Sequence, residues 1–167
     1  MTSWIDRRRD IMDFLDRISK ELAEAMKSKE EGRELLVSVL RMIKAAVKNA
    51  EIAKRGTGKE LTNDDVVAVL SSMVKQRKES VEQYSNVNRK DLADKETREV
   101  EIIQKYLPQQ LTLEELELLI RSSIEETGVT GIKEIGKLMK ALMPKVKGKA
   151  DGKEVNERVR DILEKMG

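Results

Sequence analysis

Seven lysines crowd into residues 132–153: Lys133, Lys137, Lys140, Lys145, Lys147, Lys149 and Lys153. Only Glu134 and Asp151 oppose them, so the segment carries +5 in a chain whose net charge is +2, leaving −3 for the rest. Clustered ammonium groups are suited to neutralising phosphates. Gly148 and Gly152 interrupt the lysines, and glycine lets a backbone approach a ligand closely or take a positive φ. A helix start near 151–154 would add unpaired amide donors, and helix N-termini favour anions. Together these features suit the backbone of a nucleic acid. Two blander readings stand beside this one. The lysines can be the solvated face of an amphipathic helix, and Asp151 can be a helix cap alone.

A second basic stripe falls at Arg41, Lys44, Lys48 and Arg55, beside the apolar face of the second helix, with Glu51 inside it as an opposing charge. Arg41, Lys44 and Lys48 are candidates to extend the nucleic-acid footprint, with a solvated helix face as the bland reading. Lys75, Arg77 and Lys78 wrap around their helix and read as ordinary surface. No catalytic constellation accompanies these cations. The chain has no cysteine and no histidine, which excludes thiolate nucleophiles, disulfides, imidazole acid–base chemistry and Cys/His metal sites. Gly56-Thr57-Gly58-Lys59 is far short of a P-loop. The carboxylates lie where helix surfaces account for them: Glu114, Glu115 and Glu117 near a helix start, Glu99 and Glu101 on a charged face. No catalytic residue, metal site or cofactor is therefore expected.

The elements that must position the lysines are helical throughout. The spacing predicts a first helix over 3–29, capped by Ser3, with Ile5, Ile11, Leu15, Ile18 and Leu22 inward. A second follows over 33–55, with Leu36, Val39, Leu40, Ile43, Val47 and Ala50 on its apolar stripe. Thr62 caps a third, with Asp64 and Asp65 in the first turn, where the helix dipole favours acids. A fourth, over 89–106, is only loosely apolar. Pro108 stops it and sets a boundary. Thr112 and Glu115 form a capping box for a fifth helix, which Gly128 ends. A sixth covers 132–143, with Ile132, Ile135, Leu138, Met139 and Leu142 inward, Lys133, Lys137 and Lys140 outward, and Pro144 as its stop. Asp151 and Glu154 resemble a second capping box for the last helix. The expected fold is all-α: a four-helix bundle over 1–108, then a three-helix tail unit over 109–167.

Charged residues make up 38% of the chain and aromatic residues 2%. The core must be aliphatic, and base-stacking platforms for single strands are not expected. No export-type apolar segment or membrane-length span is found, so the expectation is a cytoplasmic protein without a membrane partner.

Four stretches resemble one known family. Ser38-Val-Leu-Arg-Met-Ile-Lys-Ala-Ala-Val-Lys-Asn49 is similar to the N-terminal signature of the GatB/YqeY family. Val74-Lys-Gln-Arg-Lys-Glu-Ser80, Tyr106-Leu-Pro-Gln-Gln-Leu111 and Ala141-Leu-Met-Pro-Lys-Val-Lys-Gly-Lys-Ala-Asp-Gly-Lys153 are similar to its later ones. The resemblance points to a stand-alone YqeY-like protein. It implies a tail similar to that of the B subunit of glutamine-dependent aspartyl/glutamyl-tRNA amidotransferase, where the tail serves tRNA recognition and other domains carry the chemistry. The expected partner is then tRNA or another folded RNA. Two alternatives stay open. One is a protein-interaction adaptor, docking on a tRNA-charging or amidotransferase protein through the fourth helix. The other is the family-level activity, a carbon–nitrogen ligase with glutamine as amide donor. The chain has Asp151-Gly152 where amidotransferase tails often carry Asn-Pro, a change that keeps the cap.

Overall fold

The computed structural model of the chain describes the backbone of residues 4–167 and the side chains of 11–167. The predicted Ser3 cap and the inward placement of Ile5 lie outside the described residues. Among the described residues the structure is all-α, with seven α-helices, one short 3-10 turn and no strand. The chain divides into two compact units, Met1–Leu107 and Pro108–Gly167.

The first unit contains α1 (Trp4–Lys27), α2 (Arg33–Arg55), α3 (Asn63–Asn86) and α4 (Lys90–Gln104). Its core is aliphatic. Ile18 of α1, Val39, Leu40, Ile43 and Val47 of α2, Leu70 of α3 and Ile103 of α4 are fully buried. On α2 these buried positions follow the three-and-four spacing of one helix face. Thr62 and Asp65 form a reciprocal capping box at the start of α3. Lys54 also donates to the Asp65 carboxylate. Burial pushes the Asp65 carboxyl up, but hydrogen bonds from Lys54 and Thr62 outweigh it and hold the group below its ordinary value.

Two expectations change in α3 and α4. Arg77 is not ordinary surface. Its Nε donates to Glu99 at 2.8 Å, and the two side chains are only 12% and 7% exposed. The same guanidinium donates to the Met73 carbonyl at 3.2 Å. Glu99 likewise leaves the charged face assigned to it. The pair is buried because α3 and α4 pack along one another, and a buried carboxylate needs a charged partner. The fourth helix also buries Ala93, Val100 and Ile103. Its apolar side packs against α3 and α2 within the first unit.

At the end of α4, Tyr106 packs edge-on to Phe14, with ring centroids 6.4 Å apart. The Arg17 guanidinium lies 5.4 Å from the Tyr106 ring centroid, within cation–π range. The Tyr106 hydroxyl donates to Glu21. Burial first, and then the Glu21 carboxylate, push the phenol above its usual value.

The second unit contains α5 (Leu113–Thr127), a 3-10 turn (Ile132–Glu134), α6 (Ile135–Val146) and α7 (Gly152–Met166). Leu116 and Ile120 of α5, Leu138, Leu142 and Val146 of α6, and Val155, Val159 and Leu163 of α7 form a separate core. Thr112 and Glu115 make the expected box. Gly128 closes α5 with φ 68°, a left-handed conformation that favours glycine. Pro144 does not stop α6. It sits in the last turn, and the helix runs on to Val146, which is only 1% exposed. Proline there removes one backbone bond near a helix end, and burial of Val146 carries the chain through it.

Candidate functional site

The tail lysines are positioned by α6 and the loop behind it. Leu138, Leu142 and Val146 point into the tail core. At roughly 100° per residue, Lys137 and Lys140 fall on the opposite side of the helix. Both are exposed, as are Lys133, Lys147, Lys149 and Lys153. Glu134 accepts from the Thr130 backbone amide at 2.8 Å and the Thr130 hydroxyl at 3.1 Å. Those bonds, with a smaller contribution from Lys137, hold its carboxyl below the ordinary glutamate value. The acid inside the lysine segment is thus already engaged beside the turn that starts α6.

Lys145 departs from the other six. Its position on α6 leans toward α5, and its Nζ donates to Glu126 at 2.5 Å and to the Ser123 hydroxyl at 3.4 Å. An anion would have to compete with a carboxylate for this group.

The loop between α6 and α7 is pinned from both sides. Lys147 N donates to the Met143 carbonyl at 3.0 Å, and the Lys149 and Ala150 amides donate to the Val146 carbonyl at 2.9 and 3.1 Å. Gly148 takes φ 73°, which a residue with a Cβ adopts only under strain. From the other side, Gln110 Nε2 donates to the Gly148 carbonyl at 2.7 Å and to the Pro108 carbonyl at 2.9 Å. Leu111 N donates to the Lys149 carbonyl at 2.7 Å. The segment after Pro108 therefore braces the backbone that carries Lys147 and Lys149. Sequence reasoning gave Gln110 no role. Its partner lies 38 residues away, and no periodicity reports such a contact.

The start of α7 differs from expectation. Asp151 Oδ1 accepts from the Lys153 amide at 2.9 Å and the Glu154 amide at 3.3 Å. The donors expected to be unpaired are thus taken by a carboxylate, which also places negative charge where a phosphate would sit. Asp151 is the helix cap. Gly152 is the first residue of α7 and has no positive φ. The cationic surface is therefore the outer side of α6 and the braced loop, and the α7 start contributes Lys153 at its edge.

The second-helix stripe lies in the first unit. Arg41, Lys44 and Lys48 line a cleft of about 870 Å³ between α1 and α2. Lys48 lies 3.4 Å from Glu51, and Arg55 donates to the same carboxylate at 2.8 Å. Among the described residues no cluster of three or more His, Cys, Asp or Glu side chains is placed to hold a metal, and no helix is long and apolar enough to cross a membrane.

These features define an all-α chain with a first bundle of net charge +2 and a tail unit that is neutral overall but carries lysines on one segment. It belongs to the family of YqeY-like proteins, whose model matches residues 15–163. The chain is similar to "Altered inheritance of mitochondria protein 41, mitochondrial" of Pyrenophora tritici-repentis, at 28% identity over 89% of this chain and 80% of that protein. Its counterpart of the same name in Lachancea thermotolerans is 33% identical over 64% of this chain and 54% of that protein. The one in Saccharomyces cerevisiae is 33% identical over 59% of this chain and 50% of that protein. The chain thus spans about half the length of the two yeast relatives. These names overturn the expectation of a cytoplasmic protein, because the relatives are named as mitochondrial. That expectation rested only on missing signals, which carry no compartment information of their own.

Proposed function

We propose that the chain is a non-catalytic RNA-binding helical module whose tail unit grips a folded RNA, tRNA foremost, by its phosphates. One observation carries this reading. Six exposed lysines lie along the 3-10 turn, the outer side of α6, the loop that follows and the first residues of α7, all within one 60-residue unit. Phosphate contacts by lysine give affinity and register rather than sequence readout. Selectivity then comes from the shape of the RNA. The braced loop holds Lys147 and Lys149 in place before binding, so less ordering is needed on contact. The resemblance of the tail to a tRNA-recognising tail supports the choice of tRNA. The family-level ligase activity is not part of this reading.

The test is tRNA affinity measured across a salt series, for the chain and for a variant with Lys140, Lys147 and Lys149 all changed to Glu. Each lost phosphate contact lowers the slope of log K against log salt by roughly 0.7–0.9, so three contacts remove about 2 or more. Undetectable binding at low salt, or a variant with the parent's slope, would overturn the proposal.

A further inference from the structure

The cleft between α1 and α2 has a construction of its own. Its floor is aliphatic: Ile11 and Leu61 are each 7% exposed, half-buried Leu15 lies beside them, and Ala45 stands at the exposed rim. Its α2 wall is basic. Arg41 and Lys44 stand one helical turn apart at one end, and Arg55, with Lys59 of the loop after α2, stands at the other. Acids are present too, as Asp16, Glu51 and Glu60, so among the described residues the lining carries a surplus of two positive charges once Lys48 is counted.

Asp16 also lines the cleft, but among the described residues it makes no ion pair with Arg41 or Lys44. Glu51 is shared by Lys48 and Arg55, away from that end. Among the described residues Arg41 donates to the Met26 sulfur, at 3.9 Å, and neither Lys44 nor Lys59 forms an ion pair. Elsewhere in the chain, cations near a core are matched: Arg77 by Glu99, Lys54 by Asp65, Lys145 by Glu126. Unmatched cations over an aliphatic floor define a recognisable ligand chemistry.

We infer that this cleft binds an anionic amphiphile, an aliphatic chain with a phosphate or carboxylate head. The head sits against Arg41 and Lys44, and the chain lies along Leu15, Ala45, Ile11 and Leu61. The volume of about 870 Å³ falls in the range of roughly 300–1,000 Å³ typical of small-molecule sites. From Arg41 to Arg55 the α2 wall runs about 21 Å at 1.5 Å per residue, long enough for a dodecyl chain and its head group. Among the described residues no aromatic side chain lines the cleft to stack on a nucleobase.

The inference is independent of the RNA reading, which concerns the other unit. It is tested on the full chain by NMR titration with dodecyl phosphate below its micelle concentration. The expected result is saturable shifts confined to residues 11–19 and 41–61, with affinity rising about threefold to fourfold per added methylene across an alkyl series. Dodecyl maltoside, with the same chain and a neutral head, should bind at least about tenfold more weakly, and the Arg41→Glu/Lys44→Glu variant should lose a comparable factor for dodecyl phosphate. Ala45→Trp fills the cleft from an exposed position, so it should abolish binding while the circular dichroism spectrum is unchanged. Any of four results would sink the inference: saturation of the same signals by inorganic phosphate, equal binding of the two head groups, unaltered binding by Ala45→Trp, or binding only to vesicles of phosphatidylglycerol. The last would mean a membrane surface rather than an enclosed ligand.

Discussion

Replacing Arg77 with Met should cost the first unit about 3–5 kcal/mol, the usual range for removing one partner of a buried ion pair. Methionine keeps much of the apolar volume of the arginine stem, so lost packing contributes little. What remains is the Glu99 carboxylate, in a side chain only 7% exposed, with Lys95 at 4.0 Å as its remaining recorded cation. The lost donation to the Met73 carbonyl adds to the damage. For a domain whose total stability is about 5–15 kcal/mol, this is a large fraction. Urea unfolding followed through amide signals of α3 and α4 reads this unit separately from the tail. With an m-value of about 2 kcal/mol per molar, the midpoint should fall by about 2 M. The double replacement Arg77→Met/Glu99→Leu supplies the decisive comparison. Removing both charges should restore most of the loss, since apolar replacements of buried pairs are often neutral or stabilising. A single variant that loses less than about 1 kcal/mol, or a double variant as unstable as the single one, would refute burial as the reason for the pairing.

Other expectations follow from the same geometry. Gln110→Leu removes both bonds that hold the Gly148 and Pro108 carbonyls, each worth about 1 kcal/mol net; tRNA affinity should drop by roughly threefold to tenfold while the tail stays folded by circular dichroism. Gly148→Ala forces a Cβ into φ 73° and should destabilise the tail by about 1 kcal/mol in a urea melt. The Asp65 carboxyl is depressed below 3.8 in the fold, so its ionised form is favoured there. Its contribution is complete at neutral pH and is lost as acid takes the pH below 3.8 through the folded value. Amide exchange in the first turn of α3 should speed up in that window, and Asp65→Asn should remove the pH dependence.

Much of the fold is legible because it is local. The buried set on α2, Val39, Leu40, Ile43 and Val47, is written in its spacing, and the Thr112–Glu115 box lies within four consecutive residues. The rest depends on which helices meet. Arg77 and Glu99 each sit among charged neighbours in sequence, and only the packing of α3 on α4 buries them. Lys145 has the same composition context as Lys147, yet its angle on α6 delivers it to Glu126. Pro144 reads as a stop until the burial of Val146 is known. The lysine-rich segment was visible as a charge cluster. Which of its members face solvent, and that Asp151 occupies the helix start, required the packed tail.

The contacts of Gln110 and Leu111 bear on where this protein tolerates a change in chain length. A fragment cut at the Thr112 box would retain all of the fully buried tail core while releasing the Gly148 and Lys149 carbonyls from their donors. It would fold and still present a slack loop. Insertions within residues 108–112, at what looks like an ordinary connector, would do the same. The four residues 108–111 therefore brace the loop that carries Lys147 and Lys149, and under the proposed RNA-binding role selection should hold their number fixed where a spacer would drift.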